Sequence, residues 1–254
     1  MLKTIKNALK TPEIRKKILY TLLLLVIFRL GCYITIPGVD IVTLESSMDS
    51  YSNSVTGMIN MISGGAFSRL SIFAMSITPY ITASIVIQLL GMIIPSLERL
   101  TKEGGEEGRK KIDRYTKLIT LALALIEGLG IYLSYRTSGI FVDEGILTGV
   151  VVVISLMAGT SLLMWLGDKI TSKGIGNGIS MLIFAGIVSS LPSAVVAVAS
   201  KIVVDGSFST TGLLTAIGII IGVLILITGV VFVQLAERRI PVQYSKKVVG
   251  RRMV

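Results

Sequence analysis

The chain has no histidine and one cysteine, Cys32, among its 254 residues. A disulfide framework, a Cys/His zinc site and a His-based catalytic triad therefore all lack their residues. What remains for chemistry lies in isolated charges and in glycine. Arg29 and Glu127 each interrupt an otherwise apolar run, and a charge at the centre of a membrane helix costs about 2.5–3.5 kcal/mol on insertion scales. Arg29 lies in the outward half of its run and can snorkel, which points to a structural role. Glu127 is mid-run and cannot reach water that way. Either it faces a helix interface or an aqueous path, or it is a buried acid satisfied by a neighbouring Ser or Thr.

The remaining motif-like strings lose their chemistry on inspection. Gly174-Ile175-Gly176-Asn177-Gly178 follows a helical pattern, not a strand, so a nucleotide-binding loop is disfavoured and a tight turn opening a helix fits better. Gly167-Asp168 matches part of an intramembrane aspartyl protease motif, whose upstream glycine is Trp165 here. Leu30-Gly31-Cys32 resembles the end of a lipoprotein cleavage box, but Arg29 beside it does not belong to that pattern. Cys32 reads as a small buried thiol. Gly218-xxx-Gly222 permits close helix packing and says little more. No catalytic constellation survives, so an enzyme is not expected.

The elements that position these residues are apolar and long. The chain is 52% hydrophobic and only 16% charged, with a mean hydropathy of +0.80, whereas soluble domains carry about 25% charge. A span needs about 20 mostly apolar residues. Uncharged or nearly uncharged runs lie at Ile18–Ile36, between Arg69 and Glu98, at Leu118–Tyr135, between Glu144 and Asp168, between Lys173 and Lys201, and between Asp205 and Glu237. That predicts six transmembrane helices, because lipid cannot satisfy open backbone groups and no strand-like alternation is present. Pro79 is expected to kink the second. The basic start followed by an apolar run also resembles a signal peptide, but the run is long and no small-residue cleavage site follows it.

Orientation follows from Lys and Arg. Lys3, Lys6, Lys10, Arg15, Lys16 and Lys17 precede the first run, and seven more, from Arg99 to Lys117, lie between the second and third. Lys169 and Lys173 follow the fourth, and Arg238, Arg239, Lys246, Lys247, Arg251 and Arg252 follow the sixth. The alternate loops hold only Arg69, Arg136 and Lys201. Both termini are thus expected in the cytoplasm, in agreement with an even number of spans. The net charge of +10 belongs to this asymmetry. Between the first two runs, Val55–Leu70 is too short to cross and too apolar for a loop in water, and Gly64-Gly65 should stop any helix. A re-entrant helix and an interfacial helix lying flat on lipid both fit.

Five strings, in order, are specific enough to carry a resemblance: FRLGCYITIPGVD (28–40), NMISGGAFSRLSIFAMSITPYITASIVIQLL (60–90), KEGGEEGRKKIDRYT (102–116), LMWLGDKITSKGIGNGISMLIFAGIV (163–188) and ERRIPVQYSKKVVGRR (237–252). With them the chain resembles SecY, the central subunit of the Sec protein-conducting channel of bacteria. The resemblance implies an all-α polytopic membrane protein, a clamshell of two inverted five-helix halves around an hourglass pore. A short plug helix closes the outer funnel. It places the plug at 57–70, with Gly57, Met58, Ile59, Asn60, Met61, Ile62, Ser63, Gly64, Gly65, Ala66 and Phe67 as its body. It places Ile77, Ile81, Ile179 and Ile183 in the apolar pore ring, each pair spaced i, i+4, where a dry constriction blocks ions by dewetting. Thr82, Ile85, Val86 and Glu127 fall at the lateral gate, although relatives often carry a neutral amide at the last position. Arg238, Arg239, Lys246, Lys247, Arg251 and Arg252 fall in the cytosolic loop that docks the ribosome and the SecA motor.

The same resemblance implies no cofactor, and it names SecE, SecG, SecA, the ribosome, signal peptides, unfolded precursors and membrane lipids as partners. The bacterial inner membrane is the location. The expected division is a cytosolic basic segment (1–17), an N-terminal channel half (18–200), an outer loop with the sixth helix (201–236) and the start of a cytosolic loop (237–254). Family members have ten spans, so six are expected to supply one half plus the first helix of the other and to be inactive alone. The alternative function is a small-solute secondary transporter, to which six spans and one mid-membrane acid could also belong.

Overall fold

The computed structural model describes residues 11–44, 55–102, 104–143, 145–204, 207–208, 210–237, 248–249 and 252–253. The described chain is helical apart from two hairpins with two-residue strands. It forms two compact units, Met1–Pro192 and Ser193–Val254.

In the first unit, α1 (Pro12–Gly31) begins with a proline, where a missing N–H is no loss. Thr21, Leu24, Phe28 and Gly31 are buried at spacings of three and four, one stripe of a 3.6-residue repeat. Leu22, Leu23, Val26 and Ile27 remain exposed, as expected of a helix that is apolar all round and faces lipid. The loop beyond it is held by isolated bridges, Thr35 to Ser71 and Val39 to Phe141. α2 (Val55–Ile62) is short and ends where expected, at Gly64 and Gly65. Their φ values of 67° and 83° lie in a region that side chains rarely adopt.

The run between Arg69 and Glu98 is not a single span. Residues 71–77 form turns, and α3 (Thr78–Ile93) starts only after them. Leu70 and Ser76 have positive φ, 39° and 52°, so no helix passes through either. Pro79 therefore stands in the first turn of α3 and starts that helix; it does not kink a longer one. Ile94 is extended ahead of Pro95, as the residue before proline prefers, and α4 (Pro95–Lys102) leaves at 104°. The 16 residues of α3 reach about 24 Å at 1.5 Å per residue, short of the roughly 30 Å of a hydrocarbon core.

α5 (Gly105–Arg136) buries Thr116, Thr120, Ala124, Gly128 and Tyr132, a strict i, i+4 stripe. It packs against α3 and α6 (Ile146–Lys173). α6 is the most enclosed of the long helices and also meets α1. The turn at 174–178 forms as read from the sequence. Gly174 caps α6, and the Asn177 carboxamide oxygen accepts from the backbone N–H groups of Ile179 and Ser180 at 3.0 and 3.3 Å, opening α7 (Gly178–Ile202). Thr21 of α1 accepts from the Ile175 N–H at 3.1 Å and ties α1 to that turn. Two apolar clusters fill the unit. One joins Ile36, Leu70, Met75, Tyr132, Phe141 and Leu156. The other joins Leu24, Phe28, Cys32, Ala66, Phe73, Ile77, Leu163, Leu166, Ile170 and Leu182.

The second unit holds the end of α7 beyond Pro192, the hairpin β1 (Val203–Val204) and β2 (Ser207–Phe208), α8 (Thr210–Gln234), and the hairpin β3 (Val248–Val249) and β4 (Arg252–Met253). By length and composition four described helices can cross a membrane, α5, α6, α7 and α8, or five if α3 and α4 count as one bent span. The expected count of six is not confirmed. α1 has 20 residues, but Arg15, Lys16, Lys17 and Arg29 leave only Ile18–Phe28 free of charge.

Within α5, the Lys117 ammonium bridges Asp113, one turn away, and Asp168 of α6, each at 2.7 Å. Burial alone would lower its pKa, but the bonds to the two carboxylates outweigh it, so the pKa is raised. The contribution is complete at neutral pH and is lost only as pH rises through that raised value. All three side chains are at least a third exposed, so solvent screening limits the staple to about 1 kcal/mol. Lys117→Met should lower the thermal midpoint in detergent by a degree or two, and 1 M salt should narrow the difference. A double-mutant cycle with Asp168→Asn that shows no coupling would remove the staple.

Candidate functional site

The segment expected to form the plug is built from α2 and a turn knotted by its own side chains. The Ser63 hydroxyl donates to the Asn60 carbonyl at 3.0 Å and accepts from the Phe67 N–H at 3.1 Å. The Asn60 carboxamide oxygen accepts from the Ser68 N–H at 2.9 Å. Gly57 and Met58 lie within α2. Ile59, Met61 and Ile62 are exposed, whereas Ala66 and Phe67 are buried, one in each apolar cluster. The turn rests on α7 through backbone. A Cβ at Gly186 would stand 2.5 Å from the Ile62 carbonyl, and one at Gly64 would stand 2.8 Å from the Ser189 hydroxyl. Of the two placements left open by the sequence, a helix turned back onto protein is the one this packing supports.

Arg29 does not extend outward alone. Its guanidinium donates to the Gly64 carbonyl and, at 3.2 Å, to the Tyr33 hydroxyl. Arg69 lies over the same Tyr33 ring, 4.4 Å from its centroid. Sequence reading missed this grouping, as it missed Gly186. The available signals were the spacing Arg29-xxx-Tyr33 and the small pair Gly186 and Ser189 on one face of α7.

Three of the four expected ring residues meet in one place. Ile77, 3% exposed, belongs to the second cluster, and Ile179 and Ile183 pack against it. Ile77 is the N-cap of α3, not a member of its first turn, yet its carbonyl accepts from the Ile81 N–H at 3.1 Å, so the i, i+4 relation is kept. Ile81 is 36% exposed and stands outside the cluster. Of the expected gate residues, Thr82, Ile85 and Val86 are exposed on α3, and the Thr82 hydroxyl donates to the Thr78 carbonyl at 3.1 Å. Glu127 is half-buried on α5, the helix against which α3 packs. Arg238, Arg239, Lys246, Lys247 and Arg251 lie outside the described residues, and Arg252 is described only as backbone of β4. No group of three or more potential metal ligands occurs among the described residues.

The arrangement sets a short helix and its turn against α7, beside an apolar cluster that Ile77, Ile179 and Ile183 share. The chain is similar to known proteins. A family model described as SecY matches residues 71–253. The chain is 43% identical to the protein translocase subunit SecY of Streptomyces scabiei over 264 residues, covering 99% of this chain and 59% of that protein. It thus spans about three fifths of the length of that relative. A solved SecY, described by a plug domain that stabilises the closed state of the translocation channel and maintains a membrane seal, superposes with a TM-score of 0.62 over 96% of this chain and 53% of that one, at 20% identity. Sec61 in a canine ribosome–channel complex from the endoplasmic reticulum gives 0.57 over 91% and 50%, at 21% identity. At such identities the likeness is one of fold. Together with the long apolar helices, these matches make the chain a multi-pass membrane protein, and by its family match and its 43% identity to a curated relative it belongs to the SecY family.

Proposed function

We propose that the chain forms the N-terminal part of a passive protein-conducting channel that exports secretory proteins and releases membrane segments sideways into lipid. The observation that carries this reading is the α2 turn seated on α7 at Gly186, next to the cluster shared by Ile77, Ile179 and Ile183. In it, residues 57–70 plug the funnel and the isoleucines, with Ile81, form a dry waist. Thr82, Ile85, Val86 and Glu127 line the gate, where a polar seam keeps closure weak enough for a signal sequence to part α3 from its partner. The chain acts as a conduit and catalyses no reaction. SecA or the ribosome drives it from the cytosol through the arginine-rich loop from Arg238 to Arg252, and SecE and SecG complete the assembly. The membrane is the bacterial inner membrane, with the Lys/Arg-rich ends inside. Membership of SecY favours this reading over a solute transporter.

The test is reconstitution in vesicles with SecE, SecG and SecA, alongside a separately made C-terminal part of the Streptomyces scabiei relative. Protease-protected precursor should appear only when both parts, SecA and ATP are present. A complex that assembles yet protects no precursor, while taking up a small solute, would overturn the proposal in favour of the transporter.

A further inference from the structure

We propose that Arg29 and Tyr33 are positioning residues that clasp the plug in its closed seat, gripping the chain that leaves it at two points. This rests on the plug reading above. The two residues stand one helical turn apart at the end of α1, and their partners, Gly64 and Arg69, bracket the turn that follows α2. Arg29 donates to the Gly64 carbonyl, and Tyr33 holds Arg69 by its ring face, 4.4 Å from ring centroid to guanidinium carbon. The Arg29 guanidinium is itself 5.0 Å from the same centroid and bonded to the Tyr33 hydroxyl. One aromatic ring thus lies within cation–π reach of both cations.

The chemistry of the clasp suits something that must open. Among the described residues Arg29 is in no ion pair with a carboxylate; its hydrogen bonds reach a backbone carbonyl and a phenol, and the Cys32 thiol lies beside it. Breaking a buried ion pair would strand a charge, whereas releasing a carbonyl leaves a neutral group and a guanidinium that water in an open funnel can solvate. The opposite side of the turn is held by shape. Gly64 and Gly186 approach so closely that neither has room for a Cβ without displacing Ser189, Ile62 or each other's backbone. Arg29 presses the turn against α7, and the glycines allow it to seat.

The native thiol reports on the clasp. Cys32 is fully buried in the cluster that includes Ala66, two residues beyond Gly64. Lifting the turn uncovers it. With the full chain in nanodiscs, N-ethylmaleimide should alkylate Cys32 at least tenfold faster in Arg29→Leu than in wild type, with Arg29→Lys in between. Gly186→Val should match Arg29→Leu while keeping the arginine. Lys117→Met, remote from the plug, should label at the wild-type rate. The thermal midpoint of Arg29→Leu should stay within a few degrees of wild type, which general misfolding would not permit. If Arg29→Leu fails to accumulate, Tyr33→Leu is read in the same way. Wild-type labelling in both Arg29→Leu and Gly186→Val, or fast labelling that comes only with a collapsed thermal midpoint, overturns the clasp. The plug reading fails separately: fast labelling with no rise in ion leak from the two-part assembly would keep the clasp and remove the plug.

Discussion

A valine at position 159 should cost the chain most of its stability. Gly159 faces the turn segment 71–77 from the middle of α6, and a Cβ there would overlap the backbone carbonyl of Ile72. That carbonyl cannot retreat. Ile72 donates its N–H to the Ile34 carbonyl at 2.9 Å, and on the other side the Phe73 N–H donates to the Ser71 hydroxyl at 3.2 Å, so the segment is tied on both sides of the clash. Overpacking against movable side chains costs about 1–3 kcal/mol, and an obstacle made of fixed backbone should exceed the upper end, about 3 kcal/mol. Domains have only about 5–15 kcal/mol in total. Gly159→Val should therefore lower the detergent thermal midpoint by ten degrees or more and move much of the protein into aggregate. Gly130→Ala is the matched control: nothing lies within 4 Å of a Cβ there, and alanine is favoured over glycine in a helix by about 1 kcal/mol. It should hold the midpoint or raise it. A wild-type midpoint in the valine variant would mean that α6 and residues 71–77 do not meet as described.

Serine at Ile81, Ile179 and Ile183 together should turn the closed two-part assembly into an ion leak. Planar-bilayer conductance without precursor should rise at least tenfold, because hydroxyls let water into a constriction that branched hydrocarbon keeps dry. Ile77 is left in place deliberately. At 3% exposure in the second cluster, its truncation to alanine would cost about 2–5 kcal/mol of packing and confuse leakage with unfolding. Ile77→Ala alone should instead be seen as a lower thermal midpoint. If the triple variant remains as tight as wild type while still moving precursor, these residues do not form the waist.

Local signals carried much of this architecture. Gly64 and Gly65 stop α2 because the backbone preference is intrinsic to them, and Asn177 opens α7 for the same kind of reason. Hydrocarbon length places α5, α6, α7 and α8, since a long uncharged run has few alternatives. The second span shows where such reading fails. Counting charges between Arg69 and Glu98 measured hydrophobicity, but the ladder is broken by Leu70 and Ser76 at positive φ, conformations held by the bridge to Thr35 and by packing under α6. No composition rule reveals that, and it moved Pro79 from a kink to a helix start.

The sequence by itself determined a helical, multi-pass chain, a short apolar segment ended by paired glycines, and which isoleucines share a register. Tertiary structure alone decided what those pieces touch. Lys117 meets Asp168 across 51 residues, Arg29 meets Gly64 across 35, and Thr21 meets Ile175 across 154. Separations of that size leave no trace in a helical period, because periodicity reports which face of a helix is apolar and not which neighbour covers it. Arg29 illustrates the limit. As sequence it was a charge near a helix end, free to reach water. Only the folding of residues 63–70 back beside α1 supplies the carbonyl that makes it a partner of that turn.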